Sequence, residues 1–115
     1  MTKQITNELR VLIDGREIGT VTQDVNGRFH FTYDERYRLD TTAVSLSLSM
    51  PLAVADHGDK AIRPFVWGLL PESDDALASL GRHYGVNPRN PFSLIAAIGE
   101  DLQGAVQVVF LYSHA

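Results

Sequence analysis

The sequence predicts an α+β domain: a mostly antiparallel β-sheet, made of an N-terminal meander and a C-terminal central strand, with about three short helices packed on one side. Three observations predict it. The first third alternates apolar and polar residues and is punctuated by Asp14-Gly15 and Asn26-Gly27, both dipeptides of tight hairpin turns. Residues 64–99 carry apolar side chains at helical spacing, framed by helix-start and helix-stop residues. Residues 105–112 form a closing run that is apolar in both alternations, as expected of a central strand.

The elements follow in order. Leu9, Val11 and Ile13 alternate with Glu8, Arg10, Leu12 and Asp14. Asp14-Gly15 turns the chain, because a type I′ turn needs positive φ at both positions. The return strand covers residues 16–22, with Gly19 a candidate bulge. After Asn26-Gly27 a third strand places Phe29, Phe31 and Tyr33 on one face and His30 and Thr32 on the other. Residues 34–39 are polar and suit one helical turn or a loop. Val44, Leu46, Leu48 and Met50 alternate with Ser45, Ser47 and Ser49 and end at Pro51; this period-2 pattern predicts a half-buried strand. Residues 55–60 read as an exposed loop.

Helices follow. Phe65, Val66 and Leu69 are helix-spaced, with Pro64 suited to the first helical position and Pro71 ending the segment. Ser73 is an N-cap residue, and Asp74 and Asp75 complement the helix dipole behind it. That helix carries Leu77, Leu80 and Tyr84 on one face, and Gly85 suits its C-cap. Asn90-Pro91 opens a third helix through Phe92, Leu94, Ile95 and Ile98, closed by Gly99, and residues 100–104 read as a turn.

The chain has 115 residues, which suits one domain over 1–115 with a core of its own. It has no cysteine, so disulfides, thiolate catalysis and Cys-based zinc sites are excluded. The net charge of −4 argues against direct nucleic-acid binding, which needs a basic surface. No apolar run reaches the roughly 20 residues of a membrane span, and the first residues lack a signal-peptide core. The expectation is a cytoplasmic protein with no membrane partner.

Little in the sequence carries chemistry. There is no phosphate-binding glycine loop and no protein-kinase signature. His30, His57, His83 and His114 do not share metal-site spacing. His57, between Asp56 and Asp59, reads as a solvated turn ahead of a ligand cluster. Ser73 with Asp74 and Asp75 is explained by capping, and Glu100 with Asp101 by a turn. No catalytic residue, cofactor or metal site is expected, and a stand-alone enzyme is disfavoured.

Trp67 is out of place. On a helical wheel it lies roughly 150° from the centre of the stripe formed by Phe65, Val66 and Leu69, beside Arg63, Pro64 and Gly68. A tryptophan there either packs under the loop of residues 56–60 or is offered to a partner, where tryptophan is enriched among binding hot spots.

Four segments together resemble the N-terminal subdomain of HipA-type toxin kinases: Ile13-Asp14-Gly15-Arg16-Glu17-Ile18-Gly19, the serine-leucine segment of residues 45–52, Phe65 to Gly68 leading into Leu69-Leu70-Pro71-Glu72-Ser73, and Ile98-Gly99-Glu100-Asp101-Leu102-Gln103-Gly104-Ala105-Val106. Their order and spacing agree over residues 8–110. In that family the subdomain precedes a Ser/Thr kinase core, which is missing here. The resemblance therefore extends to the small antitoxin subunit of split, three-gene HipBST toxin–antitoxin systems. It implies binding and inhibition of a HipA-like Ser/Thr kinase toxin (HipT type), with a HipB-like DNA-binding protein in the same complex. The alternative is an excised N-terminal regulatory domain of a full-length HipA-type kinase. Family members tend to carry an acidic residue and then Asn where this chain has Trp67 and Gly68. Trp67, Gly68, Arg63 and Pro64 are accordingly the expected kinase contact, with Trp67 entering or flanking the nucleotide cleft.

Overall fold

The computed structural model describes residues 5–102 and 108–112. Three strands form the meander: β1 (Ile5–Ile13), β2 (Arg16–Asp24) and β3 (Phe29–Tyr33). Asp14 and Gly15 both take positive φ, 50° and 82°, as a type I′ turn requires. The second connection is longer than a two-residue turn. Only Gly27 has positive φ, and the Asp24 carboxylate accepts from the Asn26 and Arg28 amides at 2.9 and 3.0 Å. Asp24 thus organises a four-residue link.

The register slips beside Gly19. Val11 pairs with Gly19 while Leu12 pairs with Glu17, so Ile18 is the extra residue of a β-bulge. The bulge turns two successive residues, Ile18 and Gly19, into the interior. A side chain at Gly19 would collide with the Thr32 carbonyl and the Phe31 ring, which explains the glycine.

After α1 (Glu35–Arg38), capped by the Asp34 carboxylate accepting from the Tyr37 amide at 3.2 Å, the structure departs from the expected strand. Residues 43–55 form no strand. Side chains fix them instead of a ladder. The Tyr37 hydroxyl accepts from the Val44 amide at 3.0 Å and donates to the Val44 carbonyl at 2.7 Å. The Tyr33 hydroxyl accepts from the Leu46 amide at 2.8 Å and donates to the Met50 carbonyl. The Arg38 guanidinium donates to the Leu52 carbonyl at 3.1 Å. Met50 is fully buried and Leu46 partly so, while Leu48 points to solvent. The alternation is real in sequence but corresponds to no pair of sheet faces, because β3 takes another neighbour.

That neighbour is β4 (Asp56–His57), which pairs with Phe31 and Thr32. The expected loop of residues 55–60 therefore holds a short strand and the start of a helix. His57 is no solvated turn residue: it is buried, and its Nε2 donates to the Val54 and Pro51 carbonyls at 2.9 and 3.2 Å. Both partners are acceptors, so Nε2 carries the proton.

Helices α2 (Asp59–Gly68), α3 (Asp74–Tyr84) and α4 (Pro91–Leu102) follow. α2 starts five residues before Pro64, which lies inside the helix; Gly58 and Asp59 begin it. Its buried residues are Ile62 and Val66, while Leu69 is exposed. The Ser73 hydroxyl caps α3 by accepting from the Ala76 amide at 3.0 Å, and Gly85 ends it in the left-handed conformation at φ 69°. The Asn90 side chain accepts from the Phe92 amide at 3.1 Å at the start of α4. α4 continues past Gly99 to Leu102, so residues 100–102 are helical; 103–107 lie outside the described residues.

The last strand, β5 (Val108–Tyr112), pairs antiparallel with β1. The order β4-β3-β2-β1-β5 places it at an edge among the described strands, not at the centre. The apolar run marks a strand but not its neighbours, and β2 and β5 make β1 an inner strand. α4 packs on β5, and α2 on β3 and β4. The core between them joins Leu9, Val11, Ile18, Val21, Phe29, Phe31, Tyr33 and Phe110 from the sheet to Ile62, Val66, Phe92 and Ile95 from the helices. Phe29 meets Phe92 edge-on with ring centroids 5.8 Å apart, a favourable aromatic geometry.

Candidate partner-binding surface

The four residues singled out in the sequence all lie on α2, and the structure gives them different environments. The Arg63 guanidinium donates to both oxygens of Asp59 at 3.0–3.1 Å and to the Gly27 carbonyl at 2.6 Å. It also lies 4.5 Å above the Phe29 ring. Asp59 accepts in addition from the Phe29 amide at 2.8 Å. The Arg63 hydrogen bonds hold the Asp59 carboxyl below its ordinary value. Arg63 is thus tied inward, joining α2 to β3 and to the link before it. Pro64 is exposed, on the side of α2 away from Ile62 and Val66.

Trp67 is half-buried and packs against the edge of the core. It forms one wall of an open cleft of about 540 Å³ whose other walls are Asp74, Leu77 and Ala78 of α3 and Pro88 and Arg89 of the α3–α4 connection. The buried side of α2 is set by Ile62 and Val66 rather than by the expected stripe, whose Leu69 is exposed; Trp67 lies off that side yet still packs partly against the core. Gly68 is exposed, and a side chain added there would meet nothing within 4 Å. Leu69 follows, 46 % exposed. The C-terminal end of α2 therefore presents an indole edge, a bare stretch of backbone and a leucine in succession, beside one acid and one base.

The structure joins Trp67 to Leu77 and Arg89 and leaves Arg63 out of that cleft. Leu77 was visible in sequence as part of an apolar helix face. Pro88 and Arg89 carried no signal, since the contact spans some twenty residues of chain. A second concavity, about 690 Å³, opens between the β2–β3 link and the start of α2. Asp24, Asp59, Arg28 and Lys60 line it together, so it has mixed charge, and both acids already serve the fold. Among the described residues no three His, Asp or Glu side chains cluster as metal ligands, and no helix is long and apolar enough to cross a membrane.

A small antiparallel sheet with helices over one face, entered by a bulged meander, is the fold of a known class of domain. The chain belongs to the HipA N-terminal domain family, whose model matches residues 9–109. Among curated proteins it is 38 % identical over 101 residues to the putative kinase Y4mE of Sinorhizobium fredii, covering 88 % of this chain and 24 % of that one. It is 32 % identical over 106 residues to the putative kinase Y4dM of the same organism, covering 87 % and 26 %. The chain thus spans about a quarter of the length of these relatives. Among solved structures, the N-terminal domain of HipA toxin superposes with a TM-score of 0.65 over 98 % of both chains at 23 % identity, which supports the fold. The matched region is the N-terminal, non-catalytic part of the family.

Proposed function

We propose that this domain works by docking against a HipA-like Ser/Thr kinase of the HipT type and inhibiting it, as the HipS-type antitoxin subunit of a HipBST complex in the cytoplasm. The observation that carries this reading is Trp67, half-buried at the end of α2 beside the open backbone of Gly68. Part of the indole packs against the core and part faces the open cleft shared with α3, so an apolar surface with one N–H is available to a partner. A HipB-like protein would make the DNA contacts, consistent with the net charge of −4 on this chain. A second reading is favoured by a specific observation: the relatives are kinase-named proteins about four times longer. On that reading the same surface belongs to the N-terminal regulatory domain of one continuous HipA-type kinase.

The test is affinity purification from the native cell with mass spectrometry of the bound chains, followed by a kinase assay with and without this domain. A separate kinase-core chain in near-equal amount supports the antitoxin reading. Bait peptides continuous with a longer kinase sequence support the second. Recovery of neither defeats both. Because Trp67 also touches the core, Trp67→Ala is paired with Gly68→Glu, which fills open space. Loss of inhibition by both variants, with folding intact, is the expected result.

A further inference from the structure

We infer that the turn of residues 47–50 is a second docking element, with Leu48 as its apolar anchor against a kinase-type chain; this rests on the proposed function above. Six large apolar residues are exposed among the described ones, and four of them, Leu39, Val44, Leu48 and Val54, fall within one 16-residue stretch. Single exposed leucines are ordinary; four exposed apolar residues so close in sequence single out this segment of the chain.

Leu48 is the extreme case, 99 % exposed. The Met50 amide donates to the Ser47 carbonyl at 3.0 Å, so residues 47–50 form a β-turn with Leu48 at its first central position. Turns favour Pro, Gly, Asn, Asp and Ser for backbone reasons. Leucine there contributes nothing to the turn and leaves its whole side chain in water. The turn is also braced: the Ser47 and Ser49 hydroxyls are hydrogen-bonded at 2.9 Å, Met50 is fully buried, and the Tyr33 hydroxyl holds Leu46 and Met50 from below. A leucine held at the tip of a fixed turn, flanked by serines, has the form of an apolar anchor with a polar rim.

The occupant follows from the relatives. They continue for about three quarters of their length beyond the matched region and are named as kinases. In such proteins the remainder is available to cover part of this domain, and residues 39–54 hold four of the six exposed large apolar side chains among the described residues. The partner is therefore a kinase-type polypeptide on a separate chain, offering an apolar pocket to Leu48.

The experiment uses the full chain as bait in its native cell: wild type, Leu48→Ser, and a variant with a photo-crosslinking phenylalanine analogue at position 48. Leu48 touches nothing that the fold needs, so Leu48→Ser should melt like wild type. The expected result is recovery of kinase-type peptides reduced about tenfold by Leu48→Ser, with crosslinks from position 48 to kinase-type sequence. Equal recovery by wild type and Leu48→Ser overturns this inference while leaving the proposed function standing. Crosslinks only to a second copy of this chain also overturn it. A wild-type bait that captures no kinase-type sequence defeats the proposed function and this inference with it.

Discussion

Gly99 of α4 passes so close to Phe110 of β5 that a side chain at position 99 would collide with the Phe110 carbonyl and backbone. Glycine in a helix interior normally costs about 0.5–1 kcal/mol relative to alanine. Here it sets the distance between the last helix and the edge strand. Gly99→Ala should therefore destabilise the domain, against the usual helix preference, by about 1–3 kcal/mol. Thermal denaturation checks it; a melting temperature equal to or above wild type would show that the helix and strand are free to separate.

Tyr33 and Tyr37 replace a β-ladder for residues 43–50. Burial pushes the Tyr33 phenol above its ordinary value, so it keeps the proton it donates to Met50. Tyr33→Phe leaves the Leu46 amide and the Met50 carbonyl without this partner and should cost about 1–3 kcal/mol. Hydrogen exchange at the Leu46 amide should quicken in Tyr33→Phe, with β1 and β2 amides changing only by the global loss. Unchanged protection at Leu46 would mean that the packing of Met50 alone fixes the turn.

Arg63 is chosen for its planar fork, which reaches Asp59 and Gly27 while covering Phe29. Lysine keeps the charge but can neither bridge both oxygens nor stack. Arg63→Lys should lower stability by about 1 kcal/mol, a drop of about 4 °C in a domain of this size. Kinase inhibition measured well below the melting temperature should persist. Loss of inhibition by a folded Arg63→Lys variant would instead place Arg63 in the partner contact.

Acid should destabilise the fold. Asp40 is held at about 2, chiefly by the Thr42 amide and hydroxyl and then by Arg16; Asp56 is lowered chiefly by the Thr32 hydroxyl and Asp59 by Arg63. Each folded value lies below its unfolded one, so the stabilisation is complete above the ordinary value of 3.8 and is lost as pH falls toward the folded values. The melting temperature should decline from about pH 5 toward pH 2. The slope should be shallow, because Asp56 is exposed and Asp40 and Asp59 still reach solvent, which screens them. Asp40→Asn should flatten the lowest part of the curve, and an unchanged curve would mean that Asp40 is equally paired in the unfolded chain.

Trp67→Ala removes one wall of the α2–α3 cleft and should lower stability by about 1–3 kcal/mol while abolishing inhibition. Gly68→Glu should abolish inhibition with stability unchanged or slightly raised, since it replaces a helical glycine. Full inhibition by a folded Gly68→Glu variant would move the contact away from this end of α2.

Local chemistry was legible in the sequence wherever one short segment decides the outcome. Asp14-Gly15 needed only its own backbone angles to make the first turn, Ser73 and Gly85 only their neighbours to bound α3, and Phe29, Phe31 and Tyr33 only the period of a strand to share a face. Tertiary structure decided what depends on who the neighbours are. The alternation around Leu48 is the same whether the partners are strands or tyrosine hydroxyls from thirteen and seven residues away, so periodicity could not distinguish a strand from a tethered loop. β5 reads as apolar wherever it stands in the sheet, and its place at the edge follows from which side of β1 was vacant. The partners of Arg63, namely Asp59, Gly27 and Phe29, likewise appear only once the chain is folded, because side-chain hydrogen bonds and burial join residues distant in the chain.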